Sequence, residues 1–205
     1  VEIVRRLLQS DLLDRLRGTL LVVPIVNAFG FHNRSRYLPD RRDLNRSFPG
    51  SAGGSLASRL ADIFLGQVVK RCDLGIDLHS AAVHRTNLPQ VRVSEGNERV
   101  MELAKVFGAP VILTSSLREG SLRAEAAEAG VDVLLYEAGE GLRFDEMAVR
   151  AGLAGILRVM RGRDMLPAKG IAKAKSAPHI CTSSTWLRAP AGGLLRTFRA
   201  EGETV

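Results

Sequence analysis

Two short segments carry most of the chemistry open to this chain. Residues 36–50, RYLPDRRDLNRSFPG, set guanidiniums and a carboxamide beside a Phe-Pro-Gly turn, and residues 76–80, IDLHS, put a histidine at the end of a short apolar run. Arg46 offers a planar fork suited to bidentate capture of a carboxylate, with the Asn45 amide next to it. The structural alternative is an Arg46 ion pair to Asp43 or Asp40. Arg36 is a second cation upstream, able to bind substrate or to polarise a scissile carbonyl. His79 stands two residues after Asp77, so on a strand the two side chains share a face. That arrangement suits a zinc ligand whose other ring nitrogen is oriented by a carboxylate; a histidine that only satisfies a turn is the alternative. In residues 134–141, LLYEAGEG, Glu137 emerges from an apolar strand into a Gly-rich turn. Partial desolvation there fits a general base for a metal-activated water. Glu140 competes for that role, but its flanking glycines favour a simple exposed turn. Together these groups point to an enzyme that cuts a bond in a small acidic molecule.

One histidine cannot hold zinc, since a catalytic site needs about three protein ligands and an open position. His32, His84 and His179 sit in no paired-ligand motif. Cys72 and Cys181 form no CxxC pair, which argues against a cysteine zinc site and for two reduced thiols in a cytoplasmic protein. Arg118 and Arg123 add two cations, either contacts for a second acidic group of the substrate or solvated arginines at a helix start.

Alternating elements must position these groups. Helical spacing predicts a helix over residues 2–17, closed by Gly18. Residues 19–26, TLLVVPIV, are a continuous apolar run, which predicts a strand buried on both faces. Residues 27–53 are polar and rich in Gly, Pro and Arg, as functional or disordered loops are. A helix over 55–71, a strand over 73–78 ending at His79, a helix over 98–107, a strand over 110–114 and a helix over 121–129 follow. A strand over 131–136 ending at Glu137 and a helix over 145–161 complete the series. Strands alternating with helices predict an α/β fold with a largely parallel sheet covered on both faces, and ligands at the strands' carboxyl ends. The polar loop, His79 and Glu137 then converge on one sheet edge. Residues 168–179 read as a Lys/Ala-rich linker, and 180–205, with strand and turn signals, as the start of a small β domain.

The 205 residues are 45% hydrophobic, 25% charged and only 5% aromatic, with a net charge of +7. That is enough for one sizeable core. Dispersed arginines and few aromatics leave no stacking platform, so nucleic acid ranks well behind small acidic ligands. No apolar run approaches the ~18 residues of a membrane span, and no signal peptide is visible. The chain opens inside an amphipathic helix without an initiator Met, so both ends read as interior points of a longer sequence.

DLNRSFPG, DLHS and YEAGEG, in that order, resemble the succinylglutamate desuccinylase/aspartoacylase family of zinc carboxypeptidase-like enzymes. The resemblance covers residues 1–165, and 180–205 look like the opening of that family's β domain. It implies a three-layer carboxypeptidase-like catalytic domain over 1–167, built on a largely parallel mixed sheet, with 168–179 as linker. It implies His79 as a zinc ligand, Glu137 as general base, Arg36 as the group polarising the scissile carbonyl, and Asn45 with Arg46 as the substrate-carboxylate pair. The family's His-Gly-x-Glu motif, source of two further zinc ligands, is absent and is expected just ahead of Val1. The implied reaction is zinc-dependent hydrolysis of the amide or ester bond of a small acidic N-acylated substrate. Homo-oligomer formation is compatible with all of this. Two other readings stand: a non-catalytic carboxylate-binding module, since two ligands are missing, and a metallocarboxypeptidase acting on peptides, since Asn45 and Arg46 suit a terminal carboxylate equally well.

Overall fold

The computed structural model describes residues 1–194, 196–199 and 201–203. Its centre is a five-stranded sheet in the order β1-β4-β2-β3-β5, with β1 at Leu74–His79, β2 at Asn87–Val93, β3 at Val111–Thr114, β4 at Asp132–Gly139 and β5 at His179–Cys181. The β1·β4, β2·β3 and β3·β5 pairs are parallel and β2·β4 is antiparallel. The α/β class and the largely parallel mixed sheet are therefore as the sequence predicts.

Register assigns the two faces. His79 pairs with Glu137 and Asp77 with Leu135, so these four side chains share one face. Helices α3 (Leu56–Gln67) and α5 (Leu122–Glu128) cover that face around Ala57, Ala61, Leu65, Ala126 and Val133. The opposite face carries Leu134, Tyr136, Val91 and Ile112 against α4 (Glu98–Phe107), α6 (Glu146–Gly162) and α1 (Glu2–Leu8). The fold is three-layered, and the candidate residues lie on the thinner side. Helix α6 passes close to the core because Gly155 has no Cβ; one added there would collide with the Phe107 ring. Phe107 in turn packs on Tyr136 at 5.2 Å between ring centroids, and the Tyr136 hydroxyl donates to the Ala148 carbonyl at 2.7 Å.

Three sequence expectations need correction. Residues 19–26 form no strand: they are irregular, pair with no strand among the described residues, and leave Leu21 and Val23 exposed. An apolar run signals burial, but a strand also needs a neighbour to complete its ladder, and Pro24 removes one donor. The first helix stops at Leu8. The Ser10 hydroxyl accepts from the Leu12 amide and starts a separate 3₁₀ turn at Asp11–Arg15, a competition between serine and the helix backbone. Strand β2 lies where the sequence predicts no element, because Pro89 and the polar Asn87, Gln90 and Arg92 mask its alternation.

Residues 27–53 hold the short helix α2 (Ala28–Asn33) and a 3₁₀ turn at Leu44–Arg46. Arg158 and Arg161 donate to the carbonyls of Ala172 and Ile171, fastening residues 171–172 along α6, before residues 179–181 return as the edge strand of the same sheet. Cys72 and Cys181 are free and half-buried. Positions 195, 200, 204 and 205, within the expected β-domain start, lie outside the described residues. No helix among the described residues is long and apolar enough to cross a membrane.

Candidate active site

A cavity of about 200 Å³ opens at the carboxyl end of β1, lined by Arg36, Asp43, Asn45, Asp77 and His79 on its polar side and by Val26, Leu44, Phe48, Phe64 and Leu122 on its apolar side. Strand geometry brings the histidine beside the carboxylate that orients it. Its Nε2 lies 2.8 Å from Asp77 Oδ2, two residues back on the same face. Burial by itself would depress the His79 pKa. The Asp77 charge and hydrogen bond, with Glu137 behind them, overcome both that and the opposing Arg36, so the pKa stands above the usual histidine value.

The polar loop is held by short internal bonds. Asp43 accepts from Arg36 Nε at 2.7 Å on one oxygen and from the Asn45 amide at 3.0 Å on the other. The Arg36 side chain is 54% exposed, so this pair is worth about 0–1 kcal/mol and can yield to a ligand. Asn45 Oδ1 accepts the Leu122 amide at 2.9 Å, supplementing the Ser121 cap at the start of α5. The Asn45 amide nitrogen is thereby left as the donor available to the cavity. The ion-pair alternative for Arg46 is not realised: Asp43 is taken by Arg36, and Asp40 accepts the Ala57 amide at the start of α3. Arg46 is exposed, turns one Nη back on the Asn45 carbonyl, and makes no ion pair among the described residues. Local burial and the neighbouring Arg118 and Arg36 lower its pKa against the opposing pull of Asp43. Gly120, at φ +71°, lies against the Arg46 backbone, and its carbonyl accepts the Phe48 amide at 3.1 Å.

Glu137 is the strand neighbour of His79 and does not line the cavity itself. Its Oε2 accepts from Asn87 Nδ2 at 2.7 Å and from Arg92 Nη2 at 2.9 Å. The structure thus gathers Arg36, Asn45 and His79 in one cavity, sets Glu137 beside His79, and leaves Arg46 outside the cavity lining. Glu140 is a structural residue. It accepts the His84 amide at 2.9 Å and pairs with Arg143, which together hold its carboxyl below the usual range.

The sequence profile of the succinylglutamate desuccinylase/aspartoacylase catalytic domain matches residues 1–163. The chain belongs to this family. It is similar to the N-α-acetyl-L-2,4-diaminobutyric acid deacetylase of Halomonas elongata, at 35% identity over 103 residues, which are 47% of this chain and 30% of that protein. Among solved structures it superimposes on a succinylglutamate desuccinylase from Silicibacter sp. TM1040 with a TM-score of 0.82 at 21% identity, covering 98% of this chain and 64% of the other. It superimposes on the product-bound ectoine utilization protein EutE (DoeB) of Ruegeria pomeroyi with a TM-score of 0.79 at 24% identity, covering 87% and 56%. The chain thus spans under a third of the curated relative's length and a little over half to about two thirds of these structures' lengths.

No group of three or more His, Cys, Asp or Glu residues able to hold a metal comes together among the described residues. His79, with its imidazole oriented by Asp77, fits one ligand position, but these residues alone do not make a zinc site. Sequence reasoning missed Asn87 and Arg92. Their signal was faint: polar residues either side of a proline in an otherwise apolar stretch.

Proposed function

We propose that this chain is the catalytic domain of a hydrolase that cleaves the amide or ester bond of a small N-acylated amino acid, its residues 1–167 completed by the edge strand His179–Cys181, with the residues after Cys181 opening a second, β-rich domain. Family membership supports the reaction class, and the observation that carries the assignment is the register pairing of His79 with Glu137 beside the Arg36–Asn45 cavity. In this scheme Glu137 takes a proton from the attacking water and returns it to the leaving amine. Arg36 exchanges its weak bond to Asp43 for the carbonyl oxygen as negative charge gathers there. The Asn45 amide nitrogen and Arg46 hold the substrate carboxylate and set its distance from the reacting carbon. Arg46, Arg118 and Arg123 make no ion pair among the described residues, which favours an acidic substrate. His79 is our candidate for one zinc ligand, and bound zinc would supply Lewis acidity.

The experiment is a hydrolysis assay of the whole protein against N-acetyl and N-succinyl amino acids and a C-terminally free peptide, with metal content measured in parallel. Turnover of an N-acyl amino acid, lost by about 10²-fold or more in Glu137→Gln, is expected. Preferential release of a C-terminal residue from the peptide would assign a metallocarboxypeptidase instead. Arg46, exposed and without an ion pair among the described residues, also suits a second reading, a carboxylate-binding module without catalysis. Carboxylate binding with no turnover and no bound zinc would establish it.

A further inference from the structure

Strand β2 contains a register shift with a consequence for Glu137. Asn87 pairs with Gly139, whereas Gln90 pairs with Glu137 and Arg92 with Leu135, so one extra residue is inserted between Asn87 and Gln90. In a regular strand, side chains alternate, and Asn87 would face away from Gln90 and Arg92. The bulge reverses it, as bulges do when they re-aim a side chain. Pro89, fully buried and lacking an amide hydrogen, sits inside the shifted stretch where the ladder is interrupted. The result is that Asn87 and Arg92 both reach the Glu137 face and donate to the same oxygen, Oε2, at 2.7 and 2.9 Å. The Glu137 side chain is only 14% exposed, yet its Oε1 accepts no hydrogen bond among the described residues and is not sealed from solvent.

We infer that Asn87 and Arg92 are positioning residues: they fix the Glu137 carboxylate by one oxygen and present the other, Oε1, to the reacting water. This rests on the hydrolase reading above and adds the element that makes Glu137 effective. Two donors on one oxygen stop rotation of the carboxylate and leave a single oxygen for proton transfer. Arg123 backs the arrangement from the start of α5. It donates to Ser115 Oγ at 3.0 Å and to the Ser116 carbonyl at 3.1 Å, and burial together with the adjacent Arg92 lowers its pKa. Arg92 Nε and Arg123 Nη1 are buried without partners. Such buried donors without a protein partner are unfavourable in themselves. They are consistent with Arg92 being held where Glu137 needs it.

The test compares the whole wild-type protein with Arg92→Met, Arg92→Lys and Asn87→Ala, measuring kcat and KM on the N-acyl amino acid it turns over best. The ¹³Cδ resonance of Glu137, assigned by its loss in Glu137→Gln, is followed in the same variants. A positioning role predicts a kcat lower by about 10- to 100-fold in Arg92→Met with KM changed less than about threefold, partial recovery in Arg92→Lys, a smaller fall in Asn87→Ala, and a moved Glu137 resonance in each. If Arg92→Met does not fold, Asn87→Ala and Arg92→Lys carry the test, the latter keeping a cation within reach. Wild-type kcat with an unmoved resonance in the folded variants overturns the inference. A raised KM at unchanged kcat also overturns it, by making Arg92 a substrate contact. A wild-type protein with no turnover refutes the hydrolase reading, while the resonance still reports whether the clamp exists.

Discussion

Replacing Gly120 by alanine perturbs fold and site together, and the size of the effect follows from two separable terms. At φ +71° an L side chain is strained, at about 1–2 kcal/mol. The new Cβ would also stand 2.9 Å from the Arg46 carbonyl oxygen and 3.1 Å from its carbonyl carbon. Both atoms are backbone, so the segment that carries Arg46 must move. Gly130 supplies the control: it has φ +75° and nothing within 4 Å of an added Cβ, so Gly130→Ala carries the strain term alone. We expect Gly130→Ala to cost about 1–2 kcal/mol and Gly120→Ala at least about 1 kcal/mol more, since overpacking typically costs 1–3 kcal/mol. Urea unfolding with a shared slope reads both values. The displacement reaches Arg46, the proposed contact for the substrate carboxylate, so KM should rise several-fold in Gly120→Ala and stay at the wild-type value in Gly130→Ala. Equal destabilisation by the two substitutions, with KM unchanged in both, would refute the claim that Gly120 sets the position of Arg46.

Removing the hydroxyl in Tyr136→Phe takes its 2.7 Å bond from the Ala148 carbonyl inside α6, so a loss of about 0.5–1.5 kcal/mol is expected by urea unfolding; a change below the error of the measurement would mean that the bond contributes nothing net. The His79 pKa in the folded chain lies above its unfolded value of 6.5, chiefly through Asp77 acting against burial. Its contribution to the stability of the metal-free protein is therefore fully present below pH 6.5 and is lost as pH rises through the elevated folded value. The stability gap between wild type and Asp77→Asn, measured with a chelator present, should accordingly be larger at about pH 6 than at about pH 9; a gap that widens toward alkaline pH would show that the linkage runs the other way.

Local rules made part of this protein legible from its residues. The period of two along a strand placed Asp77 beside His79 without any knowledge of the fold, because both lie on one element. Helix α4 falls at Glu98–Phe107, as its pattern predicts, with Asn97 and Gly108 as its ends. Where two elements must meet, the sequence was silent or misleading. Hydrophobicity marked residues 19–26 as buried but could not supply the neighbouring strand that a ladder requires. Which carboxylate an arginine chooses depended on loop closure: Asp43 went to Arg36, Asp40 to the start of α3, and Arg46 was left without either. The Asn87–Arg92 grip on Glu137 arises from a one-residue shift between β2 and β4, strands some 45 residues apart along the chain. Side-chain type and local period are properties of short segments and so can be read in order. Register, ion-pair choice and the partner of an apolar run are settled only when distant segments compete for the same hydrogen bonds, and that competition exists only in the folded chain.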